Sequence, residues 1–331
     1  MMSESDLKQL FERFRHLHVL VIGDIMLDRY ISGKVERISP EAPVPVVSVN
    51  GHEDRLGGAA NVALNIRAMG ARTTLASVIG HDSTGDAFLR KMEDEQLDQQ
   101  GILRVERLST LKMRIMGNKH QLLRVDEEDD SPLNQASAIA FREHLTSLMK
   151  KERFDVIIFE DYDKGLIDTS LIETVVNLAT SSGTPVAVDP KKRNFSAYKN
   201  VTLFKPNLKE IREGLKTEAD PSDKNSIQLA EQALRKLLNH SISLITLSEH
   251  GAFAAGTAES FFLPAHVRTI SDVSGAGDTV ISIAALCLAA GTDLATLAFL
   301  SNLAGGQVCE KPGVVPVDRV QLFEEARRFI N

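Results

Sequence analysis

The sequence predicts an α/β fold: a mostly parallel central sheet flanked by helices, with a small β-sheet beside it. Three observations lead there. Near-continuous apolar runs of strand length recur along the chain, the pattern of strands buried on both faces of a parallel sheet. Segments of helical period lie between them, which implies βαβ units and a sheet covered on both sides. Two stretches rich in β-branched residues break that rhythm and call for a sheet of their own.

The first strong strand is His18–Gly23, HVLVIG. Residues 30–50, YISGKVERISPEAPVPVVSVN, carry three Pro and fit an edge or protruding strand better than a central one. A helix is expected over 59–69, a strand over 74–79 and a helix over 84–96. Residues 104–125 include LKMRIMG and NKHQLLRV, which read as a hairpin turning at Gly117-Asn118. The 30–50 and 104–125 stretches are expected to pack together as a lid over the α/β body. A helix follows over 133–151, then a strand over 155–160 (DVIIFE), a helix over 168–181 and strands over 185–189 (PVAVD) and 201–205. Helices are expected over 209–214 and 226–239, with a strand over 244–247 (LITL). The tail is helical over 279–290, Leu294–Val308 and 318–329. No repeat, low-complexity tract or linker interrupts the chain, so residues 1–331 are expected to form one domain.

Composition narrows the function. Lys plus Arg total 38 against 45 for Asp plus Glu, a net charge of −7, so the global attraction of a nucleic-acid binder is missing. Absent Trp and only three Tyr argue against stacking platforms for single strands. Cys287 and Cys309 stand alone, 22 positions apart, and HExxH is absent, which rules out a disulfide scaffold and a zinc ribbon. The polar, amphipathic start lacks the form of a secretory signal. The most apolar stretch, VISIAALCLAAG at 280–291, is shorter than the about 20 residues that span a bilayer and reads as a buried core helix. A cytoplasmic enzyme without nucleic-acid or membrane partners is the expectation.

The sharpest motif is Ser274-Gly275-Ala276-Gly277-Asp278-Thr279, running directly into that apolar helix. Its glycines allow close backbone approach, and the amides of a helix N-terminus form a nest for an anion. Asp278 would compete with such an anion unless it takes a proton from a hydroxyl attacking a phosphoryl group; an ordinary N-cap is the other reading. A P-loop is absent, and GAGDTV lacks the third Gly of a dinucleotide fingerprint. After the first strand, Asp28 and the run Gly57-Gly58-Ala59-Ala60-Asn61 could grip vicinal hydroxyls of a sugar, or simply pack a turn and a helix. Asn207 and Glu210 share one face of a helical first turn, where they could organise Mg²⁺-bound waters and phosphates or form a capping pattern.

Taken together, GGAANVA, NLKE and DVSGAGDT, in this order on this α/β rhythm, resemble the ribokinase (PfkB) family of carbohydrate kinases over about residues 17–317. The resemblance implies a ribokinase-like fold with a β-sheet lid, often used for homodimerisation, and ATP-Mg²⁺ phosphoryl transfer to a sugar hydroxyl. It makes Asp278 the base and the amides of Gly275, Ala276, Gly277 and Asp278 the anion hole. It assigns Asn207 and Glu210 to the Mg²⁺-ATP phosphates, and Asp28, Gly57, Gly58 and Asn61 to the sugar. It places Thr246, Ser248 and Gly251 of TLSEHGAF, together with Asn302, on the ATP side. Asp272 becomes a candidate contact for a monovalent cation such as K⁺. Two departures stand out: Ser248 occupies a position where the family more often has Gly, and Lys209 one where acidic or small residues are usual.

Within the family, RISPEAPVPV, the LKMRI hairpin, EDYDKG and VDPK resemble the kinases of D-glycero-D-manno-heptose 7-phosphate. This implies phosphorylation at O1, on the route to ADP-heptose and the lipopolysaccharide inner core. No HxGH of a fused nucleotidylyltransferase occurs, so a stand-alone kinase is expected. Such a substrate brings about two negative charges to a net-negative protein, so basic side chains must meet it. Lys112 and Arg114 alternate on one face of a lid strand, and Lys164 and Lys191 follow strand ends. A solvated strand face or loop is the structural alternative for each. Another sugar or ketose phosphate, or a catalytically silent sugar-binding protein, are the rival functions.

Overall fold

Strands that are apolar throughout can only be satisfied by burial on both faces, and the computed structural model of the chain shows how that is done. It describes residues 3–118, 120–266 and 268–330. In chain order the elements begin with α1 (Glu4–Phe14), β1 (His18–Gly23), β2 (Ile25–Ile38), β3 (Pro45–Gly58), α2 (Ala59–Ala68), β4 (Arg72–Ile79) and α3 (Ser83–Asp94). They continue with β5 (Ile102–Arg104), β6 (Leu111–Gly117), β7 (His120–Glu127), α4 (Gln135–Lys151), β8 (Val156–Glu160), α5 (Thr169–Ser182), β9 (Val186–Asp189) and β10 (Leu203–Phe204). The last are α6 (Leu208–Leu215), α7 (Lys224–Leu238), β11 (Ile242–Thr246), β12 (Ala252–Ala255), β13 (Ser260–Leu263), α8 (Ala276–Ala289), α9 (Leu294–Val308) and α10 (Arg319–Ile330).

Nine strands form the main sheet in the order β13-β12-β11-β10-β9-β8-β1-β4-β5, parallel except for the two antiparallel pairings of β12. Alternate side chains leave each strand on opposite sides. Val19 and Val21 of β1 join a core with residues of α1, α2, α8 and α9, while Leu20 and Ile22 join another with residues of α4, α5 and α7. The apolar stretch at 280–291 falls on α8, buried from Asp278 to Cys287. No helix among the described residues is long and apolar enough to cross a membrane.

The second sheet has the order β3-β2-β6-β7. Here the expectation of one edge or protruding strand over 30–50 is corrected. That stretch contributes to two 14-residue strands, and β2 lies inside the sheet between β3 and β6. The Pro residues fall between or at the start of those strands, where no ladder hydrogen bond is lost. The expected hairpin at Gly117-Asn118 is present as β6 and β7; Lys119 within it lies outside the described residues. The register sets Asp28 beside Lys112 and Arg55, and Lys112 beside Asp126. Two residues on, it sets Tyr30 beside Arg114 and Arg114 beside Arg124, so one face of this sheet is densely charged.

Parallel order also gathers the carboxyl ends of the central strands, where α/β proteins bind ligands. Gly23 pairs with Glu160 and Glu160 with Asp189, and Lys205 follows β10 directly.

Candidate active site

Gly275 caps α8 with φ +80°, a left-handed backbone that favours glycine. A Cβ there would also stand 2.9 Å from Nδ2 of Asn61. Within the expected anion hole over residues 275–278, the Ala276 N–H donates to the Val273 carbonyl at 3.2 Å, closing a turn. The Gly275, Gly277 and Asp278 amides have no acceptor among the described residues, the open donors with which a helix N-terminus can meet an anion.

Asp278 is buried within that first turn. Its Oδ2 accepts from Nδ2 of Asn61 at 2.7 Å, and its Oδ1 accepts from the Tyr162 hydroxyl at 2.8 Å. Burial holds the carboxyl above the usual aspartate range, with Asp189 adding to the rise, although the two hydrogen bonds lower it. Asn61, expected at the sugar, is fully buried, and its Nδ2 donates to Asp278.

Around Asp278 the strand ends supply a ring of charge. Carboxylate oxygens of Glu160, Asp189 and Asp278 lie within 4.8 Å of one another, all buried. Carboxylates this close repel unless a proton or a cation sits among them. Lys205 Nζ, 2.9 Å from Asp189 Oδ2, is the protein's own cation there, with its side chain only 2% exposed. Burial, then Asp189 and Asp278, push the Glu160 carboxyl far up, and neither of its oxygens has a hydrogen-bond partner among the described residues.

On the next side of the site, Asn207 and Glu210 form the capping box of α6. Asn207 Oδ1 accepts from the Glu210 N–H at 2.9 Å and Glu210 Oε2 from the Asn207 N–H at 2.8 Å. The remaining oxygen, Oε1, meets Lys191 Nζ at 2.6 Å. Lys191, expected with the sugar phosphate, thus stands beside Glu210. Burial would lower its pKa, but Asp189 and Glu210 more than reverse that and raise it. Thr246, at the end of β11, bridges to Asn207. Ser248 has φ +54°, the left-handed conformation that explains why Gly is common at this position. Gly251 closes the turn by donating its N–H to the Ser248 carbonyl at 3.0 Å. Asn302 is tied down, its Nδ2 donating to the Pro264 carbonyl at 3.0 Å.

The residues expected to hold the sugar and its phosphate divide in two. Asp28 and Arg114 form an ion pair on the small sheet. Gly57 is small because the Asp28 carboxylate occupies the space: a Cβ would stand 2.3 Å from Oδ2. Gly58 caps α2 at the end of β3. Lys164 Nζ pairs with Glu128 at 2.7 Å. Lys112 has no ion pair among the described residues, and burial, with Arg124 and Lys164 nearby, lowers its pKa. Asp272 accepts from the Ser274 and Gly313 amides at 2.9 and 3.0 Å, stapling the approach to α8 to the loop before α10.

Tyr162, Glu160, Asp189 and Lys205 have no role that the sequence motifs assign. A signal existed: DVIIFE, PVAVD and LFK each end an apolar strand on a charged residue. An ionisable group at such a place is either paired or functional.

Residues 16–319 match the family described as pfkB family carbohydrate kinase. Among curated proteins, the "Bifunctional protein HldE" of Methylobacillus flagellatus is 38% identical over 98% of this chain and 66% of its own length. That of Caulobacter vibrioides is 42% identical over 92% of this chain and 62% of its own length. The chain thus spans just under two thirds of these relatives. Among solved structures, phosphofructokinase-2 from Escherichia coli, in complex with potassium, superposes with TM-score 0.75, 18% identity and coverage of 95% of this chain and 98% of that one. A putative ribokinase from Agrobacterium tumefaciens gives TM-score 0.72 at 18% identity, with the same coverage. The fold is therefore ribokinase-like.

Proposed function

Because the chain belongs to the pfkB family of carbohydrate kinases, and so transfers phosphoryl groups to a sugar hydroxyl, we propose that its acceptor is O1 of D-glycero-β-D-manno-heptose 7-phosphate. The product is the 1,7-bisphosphate, a precursor of ADP-heptose and the lipopolysaccharide inner core. For the chemistry, the carrying observation is a buried carboxylate beside two unpartnered helix amides, Asp278 with the N–H groups of Gly277 and itself. For the substrate, support comes from the heptose-kinase motifs and the relatives named HldE.

Asp278 accepts the O1 proton as O1 attacks the γ-phosphorus of ATP. The Gly277 and Asp278 amides face the negative charge that builds on the phosphoryl oxygens. With both oxygens engaged by the Asn207 N–H and by Lys191, Glu210 would hold Mg²⁺ through the waters that the ion keeps; when bound, the metal neutralises phosphate charge. Lys191, fixed by Glu210, adds a cation on that side. Thr246, Ser248, Gly251 and Asn302 form the nucleotide side, and Asp272 is a candidate K⁺ contact.

The charged face of the small sheet receives the sugar phosphate. Lys112 is its unpaired cation among the described residues, between Arg124 and Lys164, and a phosphate there relieves the mutual repulsion of the three. Asp28, held by Arg114, presents its second oxygen toward sugar hydroxyls beside Gly57 and Gly58. The sheet works as a lid within a single kinase domain. On its other side, β7 leaves Leu123 and Val125 56% and 37% exposed, which supports homodimerisation through this sheet. A cytoplasmic setting follows from ATP as the donor.

The test is ADP release with Mg²⁺-ATP across heptose 7-phosphate, fructose phosphates and free sugars, with NMR locating the new phosphate. Selective use of heptose 7-phosphate at O1 is expected. Preference for a ketose phosphate discards the heptose assignment and keeps the kinase.

A further inference from the structure

Two neutral donors hold Asp278, and the Tyr162 hydroxyl is the one that the kinase motifs leave without a role. The loop that carries it is fixed to an unusual degree. Asp24, buried after β1, accepts the N–H groups of Tyr162, Lys164 and Leu166 at 2.9, 3.2 and 3.3 Å. Asp161 accepts from the Tyr198 hydroxyl at 2.7 Å, Asn194 Nδ2 at 3.0 Å and the Asp163 N–H at 2.9 Å. Tyr162 is thus clamped on both sides by buried carboxylates, which fixes where its hydroxyl points. Its ring faces Lys191, whose Nζ lies 5.4 Å from the centroid. One side chain therefore touches the base and the cation paired to Glu210.

We propose that Tyr162 is a positioning residue for Asp278, orienting the carboxylate toward the sugar hydroxyl and linking it to Lys191 on the phosphate side. This rests on the reading of Asp278 as the base. The chemical type of the donor matters. An Arg or Lys at 2.8 Å would stabilise the carboxylate so strongly that it became a poor base. An amide and a phenol fix its orientation without adding positive charge. Each oxygen accepts one protein hydrogen bond and keeps a lone pair for the substrate proton.

Groups facing Asp278 from the packed elements are Asn61 of α2, Glu160 of β8, Asp189 of β9, Lys205 after β10 and Tyr162. Glu160 and Asp189 disfavour its ionisation, while Lys205, Asn61 and Tyr162 favour it. Removing the phenol donor therefore moves the acid limb of the pH profile upward.

The experiment compares Tyr162→Phe, Asp278→Asn and the unaltered enzyme, reading kcat, both KM values and the pH profile of kcat/KM for the sugar. For Tyr162→Phe, kcat is expected to fall about 10-fold, the magnitude of one lost hydrogen bond to a charged group. Both KM values stay within about two-fold, and the acid limb moves to higher pH. A fluorinated tyrosine at 162, a stronger donor of nearly the same shape, moves the limb the other way and answers the question even if Tyr162→Phe folds poorly. A limb that stays put in both, with kcat unchanged, overturns the proposal. Near-normal kcat in Asp278→Asn overturns instead the reading of Asp278 as base.

Discussion

The strand-end centre around Asp278 and the charged face of the small sheet both handle charge, but they are built in opposite ways. At the strand ends Glu160, Asp189, Asp278 and Lys205 are almost wholly buried, with neutral donors on Asp278 and Lys205 against Asp189. On the small sheet they are matched in pairs that range from Asp28 with Arg114, which is nearly buried, to Arg124 with Asp126, which is open to solvent. Burial makes the first region costly to perturb and poises the Glu160 and Asp278 carboxyls high. Solvent makes the outer pairs of the second adjustable, since exposed pairs contribute little to stability and can exchange partners with a ligand. The contrast suits the proposed division, with chemistry where water is excluded and recognition where water reaches the charges.

The largest effect should come from Asp278, the proposed base. Asp278→Asn is expected to lower kcat by about 10²–10⁴-fold, the range for loss of general-base assistance, with calorimetric binding of both ligands retained. In the unaltered enzyme activity is lost as pH falls through the raised pKa of Asp278, so the acid limb stands above the ordinary aspartate range. Binding that collapses together with kcat would make Asp278 a structural residue and blur the contrast.

Next comes the internal cation. Lys205→Met leaves Asp189 buried without its partner and should cost about 3–5 kcal/mol in urea unfolding. A cost near that of a surface pair would show that the strand ends are wetter than their burial indicates.

On the small sheet the effect moves from stability to affinity. Lys112→Met is expected to raise KM for the phosphorylated sugar about 10-fold, equivalent to about 1.4 kcal/mol. KM for ATP and the unfolding midpoint should hardly change. Equal shifts in both KM values would remove the phosphate from this face.

The smallest change concerns Ser248, outside both regions. Ser248→Gly relieves a left-handed backbone at φ +54° while adding unfolded-state entropy, so stability should move by less than about 1 kcal/mol. A larger loss would mean that the hydroxyl itself is used.

Much of the fold was legible in the sequence because its signals are local. Apolar runs gave β1, β4, β8 and β9, and helical periodicity gave α2 to α5, α7 and α9. Less legible were β5, three residues long, and β12, whose AFAA carries little β-forming character. The interior place of β2 was hidden because strand order depends on which partner arrives from far along the chain.

For the site, the sequence by itself determined that a Gly-rich turn opens an apolar helix on Asp278, and that Asn207 and Glu210 sit one helical turn apart. Both are spacings along a few residues, fixed by helix geometry. Only the tertiary structure decided who pairs with whom. Asn61 reaches Asp278 across 217 positions and Tyr162 across 116, while Arg114 takes Asp28 and Lys191 takes Glu210. Charge attracts without regard to sequence distance, so these partners are set by the stacking of parallel strands, which brings β1, β8 and β9 to one edge.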